Sequence, residues 1–266
     1  MLQSLSLKPK ALNPPMGNSL KILVTNDDGI HSDGIIVLAK ALREVGDVYV
    51  VAPDREKSAI AHSLTLHRPL RVDRVRKNVY AVDGTPADCV HIGVNAVLPE
   101  RPQLIVSGIN KGGNLGDDIT YSGTVSAAFE GTLLGIPSFA ISVVSRSHFR
   151  FQPAAHFAVK AARAVRKWGL PKDTLLNINV PNLKEEEIKS YKITRQGRWV
   201  HSENAVVEKV DPRGRKYYWI GGGEWIYEQR RDTDFAAVSS AHISITPLRL
   251  DMTNYVSIRE LKEWRF

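Results

Sequence analysis

Ile22-Leu23-Val24-Thr25-Asn26-Asp27-Asp28-Gly29-Ile30 is an apolar run that ends in two adjacent carboxylates and a glycine. A strand in a parallel sheet is buried on both faces and reads as a continuous apolar run. In an open α/β sheet the ligand crevice lies beyond the carboxyl ends of the strands, which is where Asp27 and Asp28 would sit. Neighbouring carboxylates repel each other and are costly to desolvate together unless a cation or protons offset them. A hard divalent cation such as Mg²⁺ or Mn²⁺ suits oxygen ligands of this kind. The pair also reads as an N-cap Asp and a turn Asp ahead of a helix. The stretch alone leaves both readings open.

Moving outward, Ile35 to Val45 has the spacing of a helix, with Leu38, Leu42 and Val45 on one side. Val48 to Ala52 is a second buried strand, ending in the polar loop Pro53-Asp54-Arg55-Glu56-Lys57-Ser58. Strand–helix–strand is the unit of a parallel sheet with right-handed crossovers. Leu64–Leu66, Leu70–Val75 and Val79–Val82 read as β pieces of hairpins beside that sheet. A helix starts at Thr85-Pro86-Ala87-Asp88, with Thr85 as N-cap and Pro86 at its first position. Cys89 lies in that helix and reads as a small buried residue rather than a nucleophile.

Gln103 to Val106 is a third strand. It runs into Ser107-Gly108-Ile109-Asn110-Lys111-Gly112-Gly113-Asn114-Leu115-Gly116, whose four glycines are expensive in backbone entropy. This is either a flexible loop or a polar site in which backbone N–H groups approach a ligand. Ser122-Gly123-Thr124 then opens a helix to about Leu134. Such a start reads as ordinary capping or as an anion site. Strands at Pro137–Val144 and Thr174–Val180 flank an amphipathic helix over Pro153–Trp168. After about residue 191 helical periodicity fades, and residues 196–232 read as a β-hairpin arm rich in exposed aromatics. Exposed aromatics on an arm usually mean a partner chain; the alternative is stacking on bases. His242–Pro247 returns as a strand before an amphipathic tail. The expected organisation is a flexible extension over 1–20, an α/β core over 21–190, and an arm with an oligomerisation tail over 191–266.

The chain has 266 residues, a net charge of +8 and one cysteine. No apolar run approaches the roughly 20 residues a membrane span needs, and residues 1–20 lack the apolar core of a secretory signal. A single cysteine rules out intrachain disulfides and speaks against a thiolate zinc cluster; a cytoplasmic location fits. The positive charge favours anionic ligands. It also leaves room for a nucleotide- or nucleic-acid-binding module without catalysis, but no contiguous Lys/Arg block or nucleic-acid motif supports that reading.

Three carboxyl-edge loops thus bring oxygen donors together: Asp27 and Asp28 from the first, Ser58 from the second, Asn110 and Asn114 from the third. The helix start at Ser122 to Thr124 follows. A cation held by carboxylate, amide and hydroxyl oxygens beside a phosphate cradle points to phosphoryl-ester hydrolysis.

The ordered segments ILVTNDDGI, VAPDREKSAIAHSLTLHRPLR, VDGTPADCV, VSGINKGGNLGDDITYSGTVSAA, DPRGRKYYWIGG and TDFAAVSSAHISITPL run from residue 22 to residue 248. Together they closely resemble the SurE family of metal-dependent nucleoside monophosphate phosphatases. The resemblance implies a Rossmann-like three-layer sandwich with a mainly parallel sheet, a C-terminal β-hairpin arm and a swapped tail that builds a homodimer or homotetramer. It implies one divalent ion per subunit, Mg²⁺ or Mn²⁺, on Asp27, Asp28, Ser58 and Asn110. It places Asn114, Ser122, Gly123 and Thr124 on the phosphate. The implied reaction is hydrolysis of nucleoside 5′- and 3′-monophosphates, and in some members of short polyphosphate. Asp27 and Asp28 are then the catalytic carboxylates, and Lys111 is placed to stabilise developing negative charge. His31 and His62 invite a general-acid role, but a histidine near a site is more often structural, and neither joins the catalytic set.

Other chemistries fit less well. The GxxxxGK[ST] phosphate loop is absent, and no G-x-G-x-x-G follows the first strand, which removes a dinucleotide oxidoreductase. A haloacid-dehalogenase-type phosphatase would resemble DxDx[TV] after that strand, whereas here the two carboxylates are adjacent.

Overall fold

The computed structural model describes residues 19–200, 206–220 and 226–265. The expected extension over 1–20 and the glycines Gly221 to Gly223 therefore lie largely outside the described residues. Thirteen strands are present among those described: β1 (Leu20–Thr25), β2 (Gly46–Pro53), β3 (Val72–Arg76), β4 (Val79–Val82), β5 (Leu104–Lys111), β6 (Ser138–Val144), β7 (Thr174–Pro181), β8 (Ser190–Ile193), β9 (Trp199–Val200), β10 (Val206–Val210), β11 (Lys216–Ile220), β12 (Ile226–Tyr227) and β13 (His242–Arg249). The α-helices are α1 (Asp33–Leu42), α2 (Pro86–Ile92), α3 (Gly123–Leu133), α4 (Phe151–Trp168), α5 (Asp234–Ser239) and α6 (Tyr255–Leu261).

The main sheet has the order β3-β4-β2-β1-β5-β6-β7-β13-β8. From β4 to β7 every neighbouring pair is parallel. β3 and β13 pair antiparallel to β4 and β7, and β8 runs parallel to β13. The apolar runs become the central strands because both faces are covered. Ile22, Val24, Val106 and Ile141 pack with Ile35, Leu38 and Leu42 of α1 and Ala154, Ala158 and Ala162 of α4. On the other face Leu23, Val51 and Ile105 meet Cys89 and Val90 of α2 and Ala127 of α3. The result is the helix–sheet–helix sandwich expected from the sequence.

Several local expectations are corrected. Leu64–Leu66 forms no strand; Leu66 is exposed, and this stretch finds no strand partner among the described residues. The glycine-rich run is not all loop. β5 continues through Ser107, Gly108 and Ile109 to Lys111 by pairing with β6, with a register shift between Gly108 and Asn110. Such a shift re-aims side chains at a strand end. The arm is present as an antiparallel β10–β11 hairpin with a short β9–β12 pair beside it. The helix α5 and the polar strand β8 had no strong periodic signal. Thr85 makes a full capping box with Asp88, and Cys89 is buried with its thiol pushed well above its ordinary range by desolvation.

Candidate functional site

β1 and β5 are neighbours at the centre of the sheet, and the chain builds outward from them in opposite directions. That is the switch point where an open α/β sheet forms its crevice. Thr25 pairs with Ser107 there, so Asp27 and Asp28 leave β1 beside the end of β5.

Asp27 is 4% exposed. Its Oδ2 accepts the Thr124 N–H at 3.2 Å, and its Oδ1 accepts the Thr124 hydroxyl. Burial pushes its carboxyl up to about 6; the Thr124 hydroxyl opposes this and the Asp28 charge adds to it. Asp28 is half-buried and accepts the Lys111 N–H at 3.2 Å. Burial raises its pKa as well, against the amide and charge of Lys111 and together with the charge of Glu56. Neither carboxylate forms an ion pair among the described residues. Gly29 closes the turn at φ +95°, and a Cβ there would lie 3.0 Å from the Arg55 carbonyl carbon. This conformation favours glycine. Asn26 fastens the same turn by donating Nδ2 to the Gly29 carbonyl at 3.1 Å and to Ser32 Oγ at 2.8 Å.

The second loop reaches the pair through its backbone, since the Lys57 N–H donates to the Asp27 carbonyl at 2.7 Å. Ser58 is exposed, and its hydroxyl donates to Glu56 Oε1 at 2.7 Å. Asn110 is half-buried at the end of β5 and donates Nδ2 to the Gly112 carbonyl at 2.9 Å. Asn114 is buried and held firmly. Its N–H donates to Asn179 Oδ1 at 2.8 Å, its Nδ2 donates to Ser142 Oγ at 2.7 Å, and its carbonyl accepts from Nδ2 of Asn177 and Asn179.

Ser122 caps α3 by accepting the Val125 N–H at 3.0 Å. A Cβ on Gly123 would lie 2.9 Å from the Cβ of Asp27, so α3 and the Asp27 turn are in van der Waals contact. A carboxylate at a helix N-terminus is stabilised by free N–H groups and the helix dipole. Here Asp27 takes the Thr124 N–H and Ser122 takes that of Val125, leaving the Gly123 N–H untouched by either cap. Thr124→Val removes the hydroxyl that stabilises the charged form of Asp27 and holds its pKa down. The acidic limb of activity is then expected to move to higher pH, measured as kcat/KM across pH 5 to 8; an unmoved limb would separate Asp27 from that titration.

The sequence reading missed several neighbours. Glu56 accepts the Ser58 hydroxyl, and its charge acts on Asp28. Ser142, Asn177 and Asn179 hold Asn114. Asn177 and Asn179 did carry a signal, because asparagine is depleted in strands and these two sit two apart inside an apolar run. His31 is exposed, and His62 faces Glu130, with Nε2 to Oε2 at 2.7 Å.

The donor set suits a hard cation. Asp27, Asp28, Ser58 and Asn110 could offer oxygens alone, and the two carboxylates, both raised by burial, form no ion pair among the described residues. Among the described residues no three His, Cys, Asp or Glu are grouped so as to hold a metal, so an ion here would also need the Ser58 and Asn110 oxygens.

The family sequence model described as Survival protein SurE matches residues 22–203. A Geobacter sulfurreducens protein named 5′-nucleotidase SurE is 56% identical over 246 residues, 92% of this chain and 94% of its own length. A Pelobacter propionicus protein of the same name is 56% identical, covering 93% of this chain and 100% of its own. A crystal structure of the SurE protein from Aquifex aeolicus superposes with a TM-score of 0.84 at 47% identity, over 91% of this chain and 98% of that one. The Asp pair at the α/β switch point and these matches agree, and the chain belongs to the SurE family.

Proposed function

We propose that this chain is a phosphoric monoester hydrolase that cleaves nucleoside 5′-monophosphates to nucleoside and phosphate, using one divalent ion, Mg²⁺ or Mn²⁺. The observation that carries this reading is the position of Asp27. Its carboxylate accepts both hydrogen bonds from Thr124 in the first turn of α3 and stands next to Asp28, which supports a cation subsite adjoining a phosphate subsite. The names of relatives that align over nearly the whole chain support the same substrate. Activity on 3′-monophosphates and short polyphosphate extends the reading.

Asp27, Asp28, Ser58 and Asn110 would hold the ion, which supplies Lewis acidity at the phosphoryl group and acidifies water. Asn114, Ser122, Gly123 and Thr124 line the phosphate side. The Gly123 N–H is free of the two caps, and Lys111 stands beside Asp28 to offset charge in the transition state. Both Asp27 oxygens already accept a hydrogen bond from Thr124, which favours attack by water over attack by Asp27. Tyr217, Tyr218, Trp219 and Ile220 of β11 are exposed, and no residue of α6 is buried. These surfaces support a homodimer or homotetramer built through the arm and tail. No helix among the described residues is long and apolar enough to cross a membrane; a cytoplasmic location completes the reading.

The test is phosphate release from a panel of nucleoside 5′- and 3′-monophosphates and polyphosphate, with Mg²⁺, Mn²⁺ or chelator. Release from 5′-monophosphates is expected with metal, lost in chelator and restored by re-addition. Equal release in chelator, or none from any monophosphate, overturns the reading.

A further inference from the structure

Behind the site three side chains meet that the proposed reaction does not use. Glu130 lies two turns along α3 from the Asp27 contact, with its side chain 5% exposed. Its Oε2 accepts His62 Nε2 at 2.7 Å and its Oε1 accepts His91 Nε2 at 2.7 Å. Burial raises the Glu130 carboxyl, but the hydrogen bonds and charges of the two imidazoles outweigh it and hold it below its ordinary value. Glu130 is therefore an ionised carboxylate with both oxygens committed, one to each histidine.

His62 ends the segment that carries Ser58, and that segment is strained. Ala59 and Ala61 have φ of +55° and +54°. Non-glycine residues in the left-handed region are strained and persist only where the surroundings over-determine them. The surroundings here are identifiable. Lys57 donates its N–H to the Asp27 carbonyl at 2.7 Å, and Ala61 donates its N–H to the Tyr121 carbonyl at 3.1 Å, next to the cap of α3. His62 then closes on Glu130. The two backbone bonds tie the segment to the Asp27 turn and to the start of α3, and the His62–Glu130 bond fixes its far end to the body of that helix.

We propose that His62 and Glu130 are positioning residues: their hydrogen-bonded pair holds the strained Lys57–His62 segment on α3 so that Ser58 is presented to the Asp27–Asp28 pair. His91 fixes the free oxygen of Glu130 and with it the side-chain conformation that meets His62. The inference rests on the reading of Ser58 as an oxygen ligand. It requires a hydrogen-bond donor at position 62 that reaches Glu130, and no proton transfer by that imidazole.

The experiment compares the full-length protein with His62→Ala, His62→Gln, Glu130→Gln and Ser58→Ala. Mn²⁺ binding is measured directly by calorimetry, phosphate release from a nucleoside 5′-monophosphate as a function of Mn²⁺, and Tm in chelator. Residues that orient a metal ligand are worth ~10–100-fold in metal affinity. His62→Ala is expected to weaken Mn²⁺ binding at least ~10-fold while the rate at saturating Mn²⁺ stays within ~3-fold. His62→Gln, which retains a donor, is expected to restore most of the affinity, and Glu130→Gln to weaken it like His62→Ala. The variants at 62 leave Glu130 its bond to His91, so they keep the test open if Glu130→Gln does not fold. A lowered Tm with Mn²⁺ affinity at the wild-type level in His62→Ala overturns the positioning role and leaves only a structural one. Wild-type Mn²⁺ affinity in Ser58→Ala overturns the ligand reading and the inference together. Weak binding in Ser58→Ala with wild-type binding in His62→Ala overturns the inference alone.

Discussion

Asp27→Asn is expected to abolish turnover and at the same time make the metal-free protein harder to unfold. The loss of rate is expected to be at least ~10²–10³-fold, the scale on which removing one preorganised electrostatic group at a reacting centre is felt. The gain in stability follows from where this carboxylate sits. Its pKa is about 6 in the folded chain against 3.8 for an unperturbed carboxyl, with burial as the main cause. Between those two values the folded state holds a proton that the unfolded state has released. Stability of the metal-free protein therefore falls as pH rises from about 4 to about 6 and stays reduced above that. A difference of about two units corresponds to about 3 kcal/mol.

An asparagine does not ionise, so the variant escapes that penalty at neutral pH. It can also keep both Thr124 contacts, with its carbonyl oxygen accepting the Thr124 N–H and its amide donating to the hydroxyl. Metal reverses the ranking: an ion that binds only the folded state stabilises it by mass action, and the wild type gains that term where Asp27→Asn does not. Urea denaturation of both proteins between pH 4.5 and 8, in chelator and in Mn²⁺, measures all of this. Equal stability of the two chelated proteins at pH 8 would show that Asp27 carries no such strain.

How much of this was legible in the sequence differs between fold and site. β1, β2, β6 and β7 are mainly apolar runs because helices cover both faces, with Asn177 and Asn179 the conspicuous interruption in β7, and that cause is visible in the residues themselves. The sequence ends β5 at Val106, because Gly108 and the glycines after Asn110 argue against its continuation. Pairing with β6 overrides the local propensity as far as Lys111. Leu64–Leu66 failed for the converse reason: its composition suits a strand, but no neighbouring strand is there to pair with it among the described residues.

In the site, residue types were readable and their partners were not. Asp27 and Thr124 stand 97 residues apart in sequence, and His62 and Glu130 stand 68 apart. No local pattern encodes such contacts. The cap reading of the opening Asp pair is a case of the same kind. Asp27 does cap a helix, but the helix is α3 and not the α1 that follows it in the chain. That arrangement leaves it at the switch point, with Asp28 beside it.

Gly123→Ala carries the second large expected effect, and it tests the same junction from the helix side. The added Cβ would lie 2.9 Å from the Asp27 Cβ and 3.0 Å from its Oδ2. The first of these atoms is fixed to the backbone and cannot swing away, so either α3 or the Asp27 turn must shift. Exchanging glycine for alanine in a helix gains up to about 1 kcal/mol of propensity, while overpacking a tight contact costs roughly 1–3 kcal/mol. The net change in stability is therefore a modest loss, read as a Tm a few degrees lower. The effect on rate is expected to be larger, because a misplacement of about 1 Å at a catalytic group is felt at about 10²-fold. The defect should fall on kcat/KM at saturating Mn²⁺, since the variant keeps every proposed ligand side chain and moves only the distance between the proposed cation and phosphate subsites. Thr124→Val is the comparison: it preserves the glycine and shifts the pH profile, whereas Gly123→Ala lowers the rate at all pH values. A Gly123→Ala protein with wild-type kcat/KM would mean that the contact between α3 and the Asp27 turn does not set the geometry of the reaction.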